Sequence, residues 1–154
     1  MNVALASDHA GQPLKQHLVE FLKTKGYGVL DLGVDSPTVR ADYPDGAARA
    51  AKAMKSGKAE RAILVCGSGV GICIAANKID GLYAAICHDT YSAHQGVEHD
   101  QMNVLCLGAR IVGTAVAEEL AITFLTAVPM DEPRYIARFE KVQAFERGEM
   151  PDSE

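Results

Sequence analysis

The chain of 154 residues contains no tryptophan, and its aromatic residues amount to only 6%. Hydrophobic residues nevertheless make up 48% of it. A composition rich in alanine, valine and glycine suits helices packed closely on a parallel sheet better than an antiparallel sandwich. A chain of this length can bury about 70% of its unfolded surface. We therefore expect one domain, residues 1–154, that needs neither a disulfide nor a structural metal.

The chain also lacks a basic excess and long apolar runs. Its formal net charge is −5, and because nucleic-acid binding normally requires a basic face, we expect no nucleic-acid partner. No stretch approaches 18 apolar residues, which predicts no membrane span, and the first residues do not have the pattern of a signal peptide. The four cysteines form no CxxC pair. We expect them to be reduced thiols in a cytoplasmic protein.

Short apolar runs alternate with longer amphipathic segments. We predict strands over residues 2–7, 28–32, 61–66, 82–87 and 103–107. We predict helices over residues 12–25, 45–55, 72–78, 114–127 and 132–147. Between the fourth and fifth strands we predict only a polar, histidine-bearing segment, and residues 148–154 are expected to form a frayed tail. Strands that alternate with helices predict an α/β fold with an open parallel sheet covered on both faces.

Reactive side chains follow two of the predicted strands. In an open α/β sheet, ligands bind beyond the carboxyl ends of the strands, where the strand order reverses. With the common order 2-1-3-4-5, this point lies between the first and third strands. Asp8 and His9 leave the first strand, and Cys66 and the turn Gly67–Gly71 leave the third. The sequence therefore predicts that a carboxylate, an imidazole, a thiol and a glycine-rich turn converge on one crevice.

The turn Gly67–Gly71 can present backbone N–H groups at the start of a helix, an arrangement that stabilises anions. A dinucleotide-binding fingerprint would have glycine or alanine where Ile72 stands, and a P-loop would need GKS or GKT. The spacing thus favours an oxyanion or phosphate cradle over a nucleotide loop or a plain tight turn. Cys66 lies at the foot of the turn, where a helix N-terminus can lower a thiol pKa from its usual ~8.5. It is the candidate reactive cysteine, and the other three are expected to be structural.

The histidines do not predict a metal site. His88, His94 and His99 cluster before the fifth strand, but their spacing does not place two of them on one face of a helix. On the last helix, Arg134 and Arg138 are four residues apart and share a face. This pair fits a phosphate clamp and a solvated, salt-bridging surface equally well.

The last predicted helix also carries apolar residues at helical spacing: Ile136, Phe139, Val142 and Phe145. A stripe of this kind packs against the core of its own chain or against a partner. The helix, about residues 132–147, is therefore a candidate dimer interface.

Taken together, these motifs resemble ribose-5-phosphate isomerase B, a family that also includes the galactose-6-phosphate isomerase subunits. The segments that carry the resemblance are SDHAG at 7–11, DYP at 42–44, CGSGVGICIAANK at 66–78, residues 91–110 and the arginine pair. The resemblance implies a Rossmann-like three-layer sandwich with a five-stranded parallel sheet. It also implies a homodimer, or a tetramer of paired homodimers, with active sites at the subunit interface. Ribose 5-phosphate and ribulose 5-phosphate would interconvert through a cis-enediolate, without metal or cofactor.

The resemblance divides the site residues into three groups. One group would move protons and open the sugar ring: Cys66 as the base between C1 and C2, His99 assisted by Asp8 in ring opening, and Ser68 as a proton relay. Backbone amides of the glycine turn would hold the enediolate oxygens: Gly67, Gly69, Val70 and Gly71. Side chains from both subunits would bind the sugar and its phosphate: His9, Tyr43, Arg110, Arg134 and Arg138.

Asp100 departs from the family pattern, which usually has asparagine after the histidine. A carboxylate accepts hydrogen bonds from sugar hydroxyls or pairs with Arg110, but it does not donate as an amide does. It also opposes nearby negative charge, by up to ~4 kcal/mol at 4 Å and an effective dielectric of 20. The same chemistry on erythrulose 4-phosphate, allose 6-phosphate or galactose 6-phosphate therefore stays open. So does a non-catalytic sugar-phosphate-binding subunit, although Cys66, His99 and Asp8 together disfavour it.

Overall fold

The computed structural model describes residues 1–150. Strands and helices alternate along the chain as β1 (Asn2–Ser7), α1 (Gln12–Thr24), β2 (Gly28–Asp31), α2 (Tyr43–Lys55), β3 (Arg61–Cys66), α3 (Val70–Ala76), β4 (Ala84–Ile86), α4 (Thr90–Asp100), β5 (Val104–Gly108), α5 (Thr114–Thr126) and α6 (Pro133–Glu146). Each predicted segment corresponds to one of these elements, with ends that differ by at most two residues. The expected α/β alternation is confirmed.

The strands form one parallel sheet in the order β2-β1-β3-β5-β4. The predicted order, 2-1-3-4-5, is wrong at one end, because β5 pairs with β3 and β4 lies at the edge. Burial explains the exchange. All five residues of β5 are buried, whereas the three residues of β4 are only partly buried. The strand order still reverses between β1 and β3, where the crevice is expected.

The two faces of the sheet pack different side chains. Val3 and Leu5 of β1 lie in a core shared with α1, α4 and α5. Ala4 and Ala6 face the other way, into an alanine-rich core shared with α2 and α3. Successive strand residues point to opposite faces, so Cys66 lies with the even-numbered residues of β3 on the α2 and α3 side. The result is the three-layer sandwich that the resemblance implies.

Helix α4 is the element that the sequence analysis did not predict. Its N-terminus is capped by Asp89, whose side chain accepts a hydrogen bond from the Ser92 N–H at 2.7 Å. Only Ala93 and Val97 of the helix are buried, so its amphipathic pattern is too weak to stand out among polar neighbours. The helix ends at Asp100 and is capped by Gln101, whose φ of 53° is left-handed. His94 and His99 therefore lie on a helix and not in a loop.

Helix α6 uses only part of its apolar stripe for the core of its own chain. Phe139 is buried, and its ring meets the Tyr83 ring edge-on at 4.6 Å between centroids. Val142 and Phe145 are 44% and 46% exposed. Within residues 1–150, no helix has the length and hydropathy needed to cross a membrane.

Candidate active site

A cavity of about 430 Å³ lies at the carboxyl ends of β1, β3 and β5. Its walls are formed by Asp8, His9, Ala10, Tyr43, Cys66, Gly67, Ser68, Gly71, Arg110 and Ile111. The carboxylate, the imidazole, the thiol and the glycine turn that follow β1 and β3 are thus brought together. Their chemical roles stay predictions at this point. Ala10 and Ile111 are wall residues that sequence reasoning missed, because neither carries a reactive group.

The turn after β1 holds Asp8 and His9 in fixed positions. Asp8 is 8% exposed, and its Oδ1 accepts a hydrogen bond from the Gly11 N–H at 2.8 Å. Gly11 must be glycine, because a Cβ there would lie 2.3 Å from the Val65 carbonyl oxygen. His9 Nδ1 lies within hydrogen-bond distance of both the carbonyl oxygen and the N–H of Ala41, at 3.1 and 3.3 Å. The loop before α2 therefore orients the imidazole ring.

The glycine turn surrounds the thiol of Cys66. The Gly69 N–H donates to Cys66 Sγ at 3.1 Å, and the Val70 N–H donates to Ser68 Oγ at 3.2 Å. Gly69 has a φ of 83°, a left-handed conformation that favours glycine. The amides of Gly69 and Val70, which the resemblance assigns to the enediolate, are thus engaged within the turn. Neither residue lines the cavity, whereas Gly67 and Gly71 do.

Arg110 reaches the cavity because β5 lies beside β3. Its N–H donates to the Gly67 carbonyl at 3.0 Å. Its guanidinium lies 3.7 Å from the point where a Gly67 Cβ would stand. The segment that carries Arg110 can approach the glycine turn this closely only because residue 108 is glycine. A Cβ at Gly108 would lie 2.6 Å from the Ser68 carbonyl oxygen. Because β5 and not β4 lies beside β3, Arg110 brings a positive charge to the cavity. The sequence analysis did not predict this strand order.

Tyr43 is the first residue of α2 and forms one wall of the cavity. Its ring lies 3.0 Å from the point where a Cβ of Gly71 would stand, so the ring covers the first turn of α3. Pro44 follows it in the first turn of the helix, where proline is tolerated because that N–H has no helical partner. Tyr43 is 42% exposed, which leaves its ring free to contact a ligand.

The other predicted site residues do not line this cavity and lie instead on α4 and α6. The Gln95 side chain bridges His99 and Asp100, with Nε2 2.9 Å from His99 Nδ1 and 3.4 Å from Asp100 Oδ2. Arg134 Nη2 donates to the Tyr135 hydroxyl at 2.8 Å, and its guanidinium lies over the Tyr135 ring. The ring of Tyr135 in turn stacks on His99. Arg138, one turn further along α6, is exposed.

We call His99, Asp100, Arg134 and Tyr135 the α4–α6 cluster. Within one chain, the side chains predicted for catalysis and phosphate binding are thus divided between the cavity and the helices α4 and α6. Sequence reasoning missed Tyr135 and Gln95. For Tyr135 a signal was present, because it stands four residues before Phe139 on the buried side of α6.

The three histidines that follow β4 have separate partners. His88 Nε2 accepts a hydrogen bond from the Gly108 N–H at 3.1 Å, and His94 Nδ1 lies 3.0 Å from Glu98 Oε2. His99 contacts Gln95, as described above. In the part of the chain that the structure covers, 1–150, no three metal-ligating side chains converge.

The remaining cysteines differ in their environments. Hydrogen bonding from the Cys106 side chain lowers the pKa of the half-buried Cys73 thiol to about 7. Hydrogen bonding to Cys73 and burial raise the pKa of Cys106 well above its usual value. Burial raises the pKa of Cys87 to about 11. Cys73 is therefore the one of these three thiols with appreciable thiolate at neutral pH.

Comparison with known proteins identifies the family. A family model described as Ribose/Galactose Isomerase matches residues 3–142. The chain belongs to this family. The resemblance found in the sequence is thereby confirmed, and this protein is an isomerase.

Solved structures of family members share its fold. Ribose-5-phosphate isomerase B of Clostridium thermocellum has a TM-score of 0.91 at 40% identity, over 96% of this isomerase and 99% of that chain. The same enzyme of Mycoplasma genitalium, solved with bound ribulose-5-phosphate, has a TM-score of 0.87 at 39% identity, over 95% and 96% of the two chains. The Rossmann-like architecture is thus confirmed.

A further relative carries a different name. D-erythrulose-4-phosphate isomerase of Pectobacterium atrosepticum is 41% identical to this isomerase over 127 residues, which cover 82% of this chain and 84% of that protein. Relatives of similar identity thus bear the names of different sugar phosphates.

Proposed function

We propose that this isomerase interconverts ribose 5-phosphate and ribulose 5-phosphate as a metal-independent, cytoplasmic homodimer of the pentose phosphate pathway. The observation that carries the proposal is the position of Cys66 in the wall of a cavity that Asp8, His9 and Arg110 also line. The names of the Clostridium and Mycoplasma structures support this choice of substrate. The reduced cysteines support the compartment.

The chemistry follows from the groups around the cavity. In the open-chain aldose, the Cys66 thiolate removes the proton from C2 and returns it to C1, so that no net proton is lost. The Gly69 N–H directed at Sγ helps to hold the sulfur in place while it is anionic. A base that is positioned in this way contributes about 10²–10⁴-fold to the rate.

Negative charge develops on the O1 and O2 oxygens when the C2 proton leaves. Backbone N–H groups that already point toward this charge stabilise it without reorganisation. Of the turn residues that line the cavity, Gly67 and Gly71 offer such amides, and Ser68 offers a hydroxyl that relays the proton between the two oxygens. Arg110 and His9 hold the phosphate, and the binding energy of this unreactive group positions the reacting carbons.

The division of the site residues supports a dimer with shared active sites. His99, Asp100, Arg134 and Arg138 lie on α4 and α6 and do not line the cavity of their own chain. In a symmetric dimer, the same patch of each subunit meets the partner, so the α4–α6 cluster of one subunit completes the cavity of the other. His99 then opens the furanose ring together with Asp8, and the two arginines reach the phosphate. The exposed Val142 and Phe145 of α6 fit a buried position in such an interface.

A turnover assay tests the proposal. Purified, EDTA-treated protein is assayed in parallel with ribose 5-phosphate, erythrulose 4-phosphate and allose 6-phosphate. We expect metal-independent turnover of ribose 5-phosphate and a loss of kcat of about 10²-fold or more in Cys66→Ser. Cys73→Ser is the matched control, since it makes the same change at a half-buried thiol outside the cavity. Absence of turnover with all three sugars would favour a non-catalytic binding subunit.

A second candidate is the same reaction on a four-carbon sugar phosphate. Asp100, in place of the usual asparagine, and the relative named D-erythrulose-4-phosphate isomerase favour it. Asp100 accepts but does not donate hydrogen bonds, apart from its protonated form. In the shared active site it would therefore select substrates by their hydroxyl donors. A higher kcat/KM for erythrulose 4-phosphate than for ribose 5-phosphate in the assay above would make this the main function.

A further inference from the structure

Arg49, on α2, has an unpaired edge of its guanidinium group. Its Nε and Nη2 atoms are buried, and within residues 1–150 neither has a hydrogen-bond partner. Buried polar groups in folded proteins are almost always paired, so each exception calls for an explanation. These two nitrogens lie on the same edge of the guanidinium and direct their N–H bonds side by side. That edge is the fork with which arginine binds a carboxylate or a phosphate through two parallel hydrogen bonds.

Arg49 also lines a second cavity, of about 310 Å³, beside the edge strand β2. Its walls are formed by Leu30, Leu32, Arg49, Lys52, Ala53, Ser56 and Lys58. Three of these side chains are basic and none is acidic, in a chain whose formal net charge is −5. A local concentration of cations of this kind attracts anions even when the whole molecule is acidic.

Acidic neighbours do not neutralise these cations. Asp31 lies between the two leucines in the sequence, but strand residues alternate between faces, and its Oδ1 is bound by Lys15 Nζ at 2.6 Å. Within residues 1–150, Lys52 and Lys58 take part in no ion pair. The Ser56 hydroxyl donates to the Ala53 carbonyl at 3.1 Å. Within the described residues, no carboxylate thus forms an ion pair with the three cations of this cavity.

This cavity is separate from the candidate active site. The two share no lining residue. Tyr43, at the first residue of α2, faces the active site, whereas Lys52 and Ser56 lie at the opposite end of the same helix. At 1.5 Å per residue, Lys52 and Ser56 lie about 14 Å and about 20 Å from Tyr43 along the helix axis.

We propose that this second cavity binds a small oxyanion, the phosphate or carboxylate group of a metabolite. Arg49 Nε and Nη2 hold it through two hydrogen bonds, and Lys52 and Lys58 neutralise its charge. Leu30 and Leu32 receive the apolar part of the ligand. Both lysines are exposed, so their charges are accessible to an anion that approaches Arg49.

The test measures anion binding to the intact protein by calorimetry, with inorganic phosphate and acetate as separate probes. The wild type is compared with Arg49→Met and with Lys55→Met, which removes a positive charge from the same helix outside the cavity. We expect Arg49→Met to lose one anion site per subunit and Lys55→Met to keep it. The value of kcat/KM for the sugar phosphate should stay within about twofold of the wild type in both variants, since neither residue lines the active site.

A second variant keeps the test independent of folding. Lys52→Gln with Lys58→Gln changes only exposed side chains, and we expect the dissociation constant of the second site to rise about threefold. Binding of both probes would indicate any small oxyanion, and binding of phosphate alone would restrict the site to phosphorylated ligands. Wild-type stoichiometry for both anions in Arg49→Met would overturn the proposal.

Discussion

The ring of His99 stacks on the ring of Tyr135, with centroids 3.9 Å apart and planes 16° from parallel. This contact joins α4 to α6 and fixes the imidazole that the family resemblance assigns to ring opening. Gln95 Nε2 contacts His99 Nδ1, so in the neutral ring the proton is assigned to Nε2. Nε2 is then the nitrogen that can donate to a substrate. Since His99 is absent from the cavity of its own chain, that substrate is expected in the partner's cavity.

Mixing two inactive variants tests the shared active site. We expect Cys66→Ala and His99→Asn each to be inactive as homodimers. After dissociation and random reassociation in equal amounts, half of the dimers contain one subunit of each kind, and each of these has one intact site. The mixture should therefore recover about one quarter of the wild-type turnover. If mixing restores no turnover while light scattering shows exchanged dimers, each active site is built within one subunit.

Removing the charge of Arg110 should weaken substrate binding. Its guanidinium borders Gly67 in the cavity, and a charge-assisted hydrogen bond to phosphate contributes about 1.5–3 kcal/mol. We expect Arg110→Gln to raise KM by about 10- to 100-fold, with a smaller effect on kcat, in steady-state kinetics. Arg147→Gln, at an exposed arginine paired with Glu149, is the control. Equal KM values for the two variants would remove Arg110 from the phosphate site.

The left-handed conformation of Gly69 should be costly to replace. An alanine there is strained by about 1–2 kcal/mol, and its Cβ would lie 3.1 Å from the Leu107 backbone. Gly81 has nearly the same φ, 84°, but open space around it. We expect Gly69→Ala to lower the free energy of unfolding by about 2–4 kcal/mol and Gly81→Ala by about 1–2 kcal/mol. Urea denaturation measures both, and a larger loss in Gly81→Ala would contradict the packing argument.

The reactivity of Cys73 should depend on pH near neutrality. Its pKa is lowered to about 7, so its thiolate, the form that reacts, increases as pH rises through that value. In a Cys66→Ser background, we expect iodoacetamide to modify Cys73 at half its maximal rate near pH 7. Cys87, with a pKa of about 11, should remain largely unmodified below pH 9. Peptide mass spectrometry distinguishes the two sites.

A further variant tests the origin of this reactivity. In Cys106→Ala the hydrogen bond is lost, and the reaction midpoint of Cys73 should rise toward the ordinary thiol range. An unchanged midpoint would mean that Cys106 does not lower the pKa.

Asp100 should influence the choice of sugar. We expect Asp100→Asn to change the relative kcat/KM across four-, five- and six-carbon sugar phosphates, because an amide both donates and accepts hydrogen bonds. The control is Asp80→Asn, the same change at an exposed residue that does not line the cavity. Unchanged ratios in Asp100→Asn would show that this position does not set specificity.

The sequence predicts the half of the site at the ends of β1 and β3, because apolar runs reveal where strands end. Asp8 directly follows β1, and Cys66 is the last residue of β3. The sequence does not predict that Arg110 reaches the same cavity, since this depends on β5 displacing β4 from the sheet interior. That exchange reflects burial summed over whole strands. Helix α4 was missed for a related reason, as Ala93 and Val97 are its only buried residues. The separation of His99 from the cavity is a property of tertiary structure that no local pattern encodes.

The close contacts at Gly11 and Gly108 restrict how the substrate range of this isomerase can be altered. Backbone atoms already occupy the space that a side chain would need at either position, so the turns that carry Asp8 and Arg110 to the cavity tolerate no side chain there. Tyr43 and Ile111, by contrast, are 42% and 60% exposed and line the same cavity. Libraries designed to admit longer or shorter sugars should therefore vary these two rim positions and leave the glycines unchanged. Substitutions at these two positions would then change the length of the sugar that the cavity accepts, while the residues that carry out the reaction stay the same.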